Sequence, residues 1–103
     1  GAQTRDHGEN EAERIVTLAQ AEMSCDWATL KKGDWRKGVV AVLIRKGSLV
    51  NNEWLASRLN MGSRTAVSRI MAEAKELMKT NRKVRTVARR LEKQIGGDSE
   101  FQC

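Results

Sequence analysis

Apolar residues recur at intervals of three and four along most of this chain, the spacing that places side chains on one face of an α-helix. The sequence has no proline to interrupt such segments, and Ala, Leu, Lys, Arg and Glu are frequent. This composition favours helices over a turn-rich β architecture. Because 103 residues suffice for one small core, the sequence predicts a single all-α domain.

Residues that cap helix ends divide the chain into five predicted helices. Asn10 and Glu13 have the spacing of a capping box at the start of the first helix. Asp34 can cap the second helix, and either Asn51 or Asn52 can cap the third. The predicted ranges are approximately 10–24, 34–46, 51–59, 63–79 and 80–95.

The apolar run Val39–Ile44 could equally form a buried strand, because periodicity does not separate the two structures in so short a block. The chain has no second strand-like segment to pair with it. A lone strand cannot satisfy its backbone hydrogen bonds. We therefore predict that this run also belongs to a helix.

The charge of the chain changes sign along its length. The formal net charge is +6 and the sequence pI is about 9.8. Residues 1–30 hold two basic and six acidic residues, whereas residues 31–95 hold 17 basic and five acidic ones. Such an excess predicts a polyanionic partner, although charge alone does not separate DNA, RNA and an anionic membrane.

No sequence feature predicts export, a membrane span or a catalytic centre. Val39–Ile44 is too short to cross a bilayer, and the N-terminus lacks the apolar core of a signal peptide. Cys25 and Cys103 stand outside any metal-binding spacing, and His7 has no catalytic partner nearby. We expect a cytoplasmic protein with no metal, no cofactor and no enzymatic activity. Since the chain starts with glycine, we also expect a piece of a longer protein that begins with a cloning remnant.

Residues 52–71 have the composition of a helix-turn-helix, in which two helices meet across a tight turn. Ala56 supplies the small residue that lets the helices cross closely. Asn60 and Gly62 tolerate the left-handed backbone that the turn needs. The apolar residues expected to hold the helices together are Leu55, Leu59, Met61, Val67 and Ile70. The turn is one residue longer than in the shortest units of this kind.

The first turns of the second helix in this unit are polar, as a helix that enters the major groove requires. The residues that we expect at base edges are Ser63, Arg64, Thr65, Ser68 and Arg69. A purely structural helical hairpin would show a similar pattern, so this alternative stays open.

A cluster of basic residues surrounds the predicted turn at Gly33 and Asp34. Its members are Lys31, Lys32, Arg36 and Lys37. Cations grouped so closely are typical of contacts to phosphates or of entry into the minor groove. The alternative is a basic loop that serves only solubility.

These residues also resemble known DNA-binding proteins. From Ala12 to about Met78 the order is a helix, a basic loop, a helix and a helix-turn-helix, which resembles domain IV of the bacterial replication initiator DnaA. A more detailed pattern consists of Trp27, Lys32-Gly33-Asp34, Lys37, Leu43, Arg45, Trp54-Leu55-Ala56, Leu59, Met61-Gly62-Ser63 and Val67-Ser68. In this pattern the chain resembles the C-terminal extension of REP-associated tyrosine transposases.

The resemblance implies an all-α fold of the TrpR/DnaA domain IV type that binds double-stranded DNA. The basic cluster would contact the DNA backbone or minor groove, and Ser63, Arg64, Thr65 and Ser68 would contact base edges. It implies no catalysis, because those transposases cut through a tyrosine and paired metal-binding histidines, and this chain has no tyrosine and one histidine. The initiator's acidic and histidine positions at the start of its recognition helix are also absent. Its particular DNA target is therefore not carried over.

We thus expect a disordered N-terminus over 1–9, a helix-turn-helix domain over 10–79, a further basic helix over 80–96 and a flexible tail over 97–103. The last helix offers a second function, because its apolar stripe could pair with a second copy in a homodimer. That stripe consists of Val84, Val87, Leu91 and Ile95. RNA binding is a third alternative, disfavoured by the scarcity of exposed aromatic residues. We expect Trp54 and Leu59 to be buried.

Overall fold

The computed structural model describes the backbone of residues 2–96 and the side chains of residues 8–96. Within this range the chain forms five helices and no strand, which confirms the predicted fold class. The helices are α1 (Ala2–Met23), α2 (Trp35–Gly47), α3 (Asn52–Arg58), α4 (Arg64–Thr80) and α5 (Arg82–Ile95). The tail expected over 97–103 lies outside the described residues.

Helix α2 lies at the centre of the fold and packs against α1, α4 and α5. Every residue from 37 to 44 is buried, which explains why this helix shows an apolar run rather than a one-sided stripe. Its approach to α4 is close: a Cβ atom on Gly38 would lie 2.8 Å from the Ala74 Cβ and 2.8 Å from the Ile70 carbonyl oxygen. A glycine is therefore needed at this contact. The predicted helix over Val39–Ile44 is confirmed.

The first helix begins at Ala2 rather than at Asn10, so the expectation of a disordered segment over 1–9 is wrong for residues 2–9. A contact between distant parts of the chain accompanies the longer helix. The Ser48 hydroxyl donates to the Gly8 carbonyl oxygen at 2.8 Å, and Gly8 is buried. Glu13 does not serve as part of a cap; its carboxylate accepts a hydrogen bond from Arg58 Nε at 2.6 Å.

Helix α5 packs its apolar stripe onto the core of the same chain. Val84 and Leu91 are 3% and 0% exposed, and Val87 and Ile95 are half-buried against the same core. Arg14 Nη2 also donates to the Ile95 carbonyl oxygen at 3.0 Å, which links α1 to the end of α5. Of the four residues that could pair with a second copy, Val84 and Leu91 are therefore buried within the chain itself, and Val87 and Ile95 are partly covered.

Two of the expected core positions have different environments. Leu59 has no exposed surface, as predicted. Trp54 is only half-buried and packs on the outside of the core, so the prediction that it is buried is wrong. Trp27, in the connection between α1 and α2, is instead the buried tryptophan, at 3% exposure.

Candidate nucleic-acid interface

The connection between α3 and α4 has the backbone geometry that its sequence predicts. Asn60 and Gly62 have φ angles of 55° and 102°, in the left-handed region. Between them the Met61 N–H donates to the Ala56 carbonyl oxygen at 2.9 Å, and the Met61 side chain is 1% exposed. The buried methionine anchors the turn, so the start of α4 is held against α3.

The first turns of α4 present polar side chains to solvent. Thr65 and Ser68 are exposed, and the side chains of Arg64 and Arg69 are 72% and 63% exposed. Ser63 has a different role from the one predicted, because its hydroxyl oxygen accepts from the Ala66 N–H at 3.2 Å and caps the helix. Four of the five residues expected at base edges thus lie on one open helical surface.

Lys37, predicted to contact phosphate, has no exposed surface. Its ammonium group donates to the Asn60 carbonyl oxygen at 2.7 Å and to the Leu30 carbonyl oxygen at 3.1 Å. Burial lowers the pKa of this lysine, and the charge of Asp34 opposes that effect. The prediction for Lys37 is therefore corrected. The residue joins the α1–α2 connection to the α3–α4 turn from inside the protein.

Lys31 and Lys32 belong to the connection that Lys37 holds. We call residues 26–34 the basic loop. Both lysines are exposed, and their ammonium groups have no hydrogen-bond or ion-pair partner among the described residues. The loop lies against the α3–α4 turn, since a Cβ on Gly62 would be 3.4 Å from the Lys32 Cδ. Two exposed cations therefore lie beside the start of α4.

Arg36 differs from these two lysines because it already has a partner. Its Nε and Nη2 donate to the two Asp34 carboxylate oxygens at 2.9 and 3.0 Å, and its guanidinium lies 5.9 Å from the centre of the Trp35 ring. The side-chain hydrogen bond to Asp34 raises the pKa of Arg36. Burial opposes ionisation of Asp34, but the side-chain and backbone hydrogen bonds from Arg36 lower its pKa overall. Arg36 thus stabilises the start of α2, and its pairing with Asp34 makes it less available to a ligand than the two lysines.

Asn52 and Arg45 belong to this surface and were missed as site residues. The Asn52 amide donates to the Arg64 carbonyl oxygen at 3.2 Å and to Ser68 Oγ at 3.0 Å. Arg45 Nη1 in turn donates to the Asn52 side-chain oxygen. The sequence marked Asn52 only as a possible cap, and Asn51 takes that role by accepting from the Trp54 N–H at 2.9 Å. Asn52 instead fixes the start of α3 against the exposed face of α4.

Comparisons with known proteins identified no relative of this chain. The chain matches no family model, no curated protein and no solved structure. None of the described helices is long and apolar enough to span a membrane. The described residues also contain no cluster of three or more His, Cys, Asp or Glu side chains that could hold a metal ion.

The assembled surface can bind anions and present hydrogen-bond donors. Its two parts are held together by the hydrogen bonds of Lys37. Lys31 and Lys32 supply exposed ammonium groups, and Arg64 supplies a planar guanidinium that can bind two acceptors at once. Arg64 Nη1 lies 3.3 Å from Glu53 Oε1, but an ion pair this exposed is weak and can be exchanged for a ligand. The chemistry fits a polyanion that also offers acceptor atoms at fixed positions.

Proposed function

We propose that this chain binds double-stranded DNA, with α3 and α4 as a helix-turn-helix and α4 as its recognition helix in the major groove. The observation that carries the proposal is the pair of hydrogen bonds from buried Lys37 to the Leu30 and Asn60 carbonyl oxygens. These bonds hold the basic loop beside the α3–α4 turn. Cations suited to phosphates and a helix start suited to base edges therefore share one side of the molecule.

In this proposal the two parts of the surface have separate tasks. Lys31 and Lys32 contact phosphates, which gives affinity for any duplex and a strong salt dependence. Arg64 reaches into the major groove, where a guanidinium can bind O6 and N7 of a guanine. Thr65, Ser68 and Arg69 lie on the same exposed face and make further base or backbone contacts. Arg36 contributes less, because Asp34 already compensates its charge.

The proposal includes the expected relationship to the DNA-binding extension of REP-associated tyrosine transposases, which the quoted motif residues support. In this chain, two of these motifs are Lys32-Gly33-Asp34, in the basic loop, and Met61-Gly62-Ser63, in the α3–α4 turn. Lys37 connects these two segments through its hydrogen bonds. A dimerisation module built on the stripe of α5 is not carried further, because Val84 and Leu91 are buried in the chain's own core.

Selection of binding sites from a random duplex library tests the proposal. We expect enrichment of a restricted set of sequences, and a linear fall in the logarithm of affinity with the logarithm of salt concentration. Double-stranded RNA of matching sequence is the control, since its narrow major groove does not admit a helix. Equal affinity for all DNA sequences would contradict base reading by α4. Tighter binding to the RNA would contradict the choice of DNA.

A further inference from the structure

The outer face of α5 carries a row of four cations that has no role in the surface described above. Arg82, Arg85, Arg89 and Lys93 follow one another at intervals of three and four residues, which aligns them along one side of the helix. All four side chains are exposed. A surface depression is lined by Arg82, Arg85, Thr86 and Arg89. We call these four cations the α5 row.

The α5 row is not neutralised within the chain. Among the described residues, none of its four side chains has an ion pair or a side-chain hydrogen bond. The acidic residues near α5 are paired at its flanks: Glu22 lies 3.8 Å from Arg90, and Glu92 lies 3.2 Å from Lys46. Like charges at these helical spacings repel one another and destabilise a helix. The row therefore has a cost that an anionic partner would relieve.

The chemistry of α5 identifies the kind of partner. Its apolar face, with Val84 and Leu91, is buried in the core, so α5 cannot insert into a lipid interface as an amphipathic anchor does. The helix has no aromatic residue that could stack on bases. Three of the four cations are arginines, whose planar guanidinium binds phosphate with two parallel hydrogen bonds. These features fit a sugar-phosphate backbone recognised without regard to sequence.

The α5 row begins away from the start of α4. Arg64 is the first residue of α4 and Arg82 begins α5 just after α4 ends, so the 17 residues of α4 separate these two residues by roughly 25 Å at 1.5 Å per residue. That distance corresponds to about seven base pairs along a duplex. A duplex that contacts both Arg64 and Arg82 must therefore extend well beyond the bases that Arg64 reaches.

We propose that the α5 row binds the phosphate backbone of duplex DNA that flanks the segment contacted by the start of α4. This inference rests on the proposed function and extends it with a second contact surface, one that reads no bases. It adds affinity that depends on the length of the duplex and on salt concentration.

The test compares two charge-matched double variants of the full chain. The first is Arg85→Gln with Arg89→Gln, which removes two charges from the row. The control is Lys83→Gln with Arg90→Gln, which removes two charges from exposed positions of the same helix outside the row, including the arginine that pairs with Glu22. Glutamine is a good helix former, and all four side chains are exposed, so both variants should fold. Circular dichroism and thermal melting check this before binding is measured.

Affinity is measured for duplexes of about 10 and about 30 base pairs that share one central sequence, at several salt concentrations. We expect the wild-type chain to bind the longer duplex more tightly than the additional number of binding positions explains. The row variant should lose this gain, roughly tenfold, and should show a salt slope smaller by about two phosphate contacts. The control variant should keep both the gain and the slope.

Two results with duplex DNA would overturn the inference. Either the two variants weaken binding to the longer duplex equally, so that only net charge matters, or neither variant changes it. Sequence preference on the short duplex would survive both results and would still support the proposed function. Conversely, the row variant could selectively lose the gain on the longer duplex while the chain shows no sequence preference on the short one. That result would contradict only the proposal that α4 reads bases. A third result would also overturn the inference: the row substitutions abolish binding to phosphatidylserine vesicles but leave the affinity for DNA unchanged.

Discussion

At the scale of single residues, the position of Lys37 shows how one buried side chain can organise a surface that it does not reach. A lysine is rarely buried unless its ammonium group finds partners. Here the partners are carbonyl oxygens from two separate connections, Leu30 and Asn60. The sequence showed Lys37 only as one of four clustered cations, because local spacing does not reveal which carbonyl groups a fold brings together. Its role is positioning.

Replacing Lys37 by methionine should keep most of the buried volume and leave the two carbonyl oxygens without a donor. Loss of these two hydrogen bonds from a charged donor should cost about 1–3 kcal/mol, so we expect the free energy of unfolding in urea to fall by that amount. Amide exchange in the basic loop and the α3–α4 turn should accelerate more than in α1. Lys46→Met is the control, since this lysine lies on the same helix with its side chain 64% exposed. Equal losses in the two variants would contradict the role assigned to Lys37.

Asp34 permits a test of the ion pair with Arg36 by pH. The Asp34 carboxylate caps α2 by accepting from the Arg36 N–H at 2.9 Å. Asp34→Asn keeps a side-chain oxygen for this cap and removes the charge. The pKa of Asp34 is lowered in the folded chain, so its ionised form stabilises the fold above the unfolded pKa, about 3.9. This contribution is lost as the pH falls through the folded pKa. We expect the wild-type chain to be more stable than the variant at pH 7 by up to about 1 kcal/mol. Denaturation at pH 7 and near pH 2 checks this, and a difference that persists at pH 2 would contradict it.

At the scale of helices, end signals in the sequence predicted boundaries well where the stabilising contact is local. Asp34 caps α2 as expected, and Asn51 is the one of the two candidates that caps α3, each accepting from a backbone N–H within three residues. The start of α1 was missed because residues 2–9 show no apolar period, and a contact from Ser48 to Gly8 joins residues 40 positions apart. The exposure of Trp54 was missed for a similar reason. An apolar residue in the first turn of a short helix can face either the core or its edge.

The close approach of α2 and α4 at Gly38 gives a test at this scale. Gly38→Ala places a Cβ 2.8 Å from the Ala74 Cβ and the Ile70 carbonyl oxygen, so one helix must move. We expect a loss of about 1–3 kcal/mol in the free energy of unfolding, as for other overpacked cores. Gly47→Ala is the matched control on the same helix, because no described atom beyond its helical neighbours lies within 4 Å of its added Cβ. The control should be neutral or slightly stabilising. Chemical denaturation of both variants measures the difference, and equal stability would show that the two helices are not in tight contact.

At the scale of the whole molecule, the fold divides the basic residues into groups that the sequence shows as one excess of charge. Lys37 is internal, and Arg36 is paired with Asp34. Lys31 and Lys32 lie beside the start of α4, and the α5 row belongs to the helix that follows the other end of α4. Sequence patterns predicted the fold class and identified most of the side chains on the candidate surface. Which cations are exposed, paired or buried depends on contacts between distant segments.

Replacing Lys31 and Lys32 by alanine should weaken binding to every duplex by a similar factor. Both side chains are exposed, so the fold should tolerate the change. We expect the slope of log affinity against log salt to fall by about one phosphate contact per lysine. Fluorescence anisotropy on selected and random duplexes at four or more salt concentrations measures both quantities. An unchanged slope would show that the basic loop does not contact the backbone.

The central claim, that the start of α4 reads bases, is tested most directly by the affinity of Arg64→Ala for the selected duplex and for a random duplex. We expect a loss of roughly 1–3 kcal/mol on the selected duplex, relaxed choice of base at one position, and little change on random DNA. Lys79→Ala is the control, since this exposed cation stands at the opposite end of α4 and should leave the ratio of the two affinities unchanged. An equal loss of affinity for both duplexes in Arg64→Ala would contradict the claim.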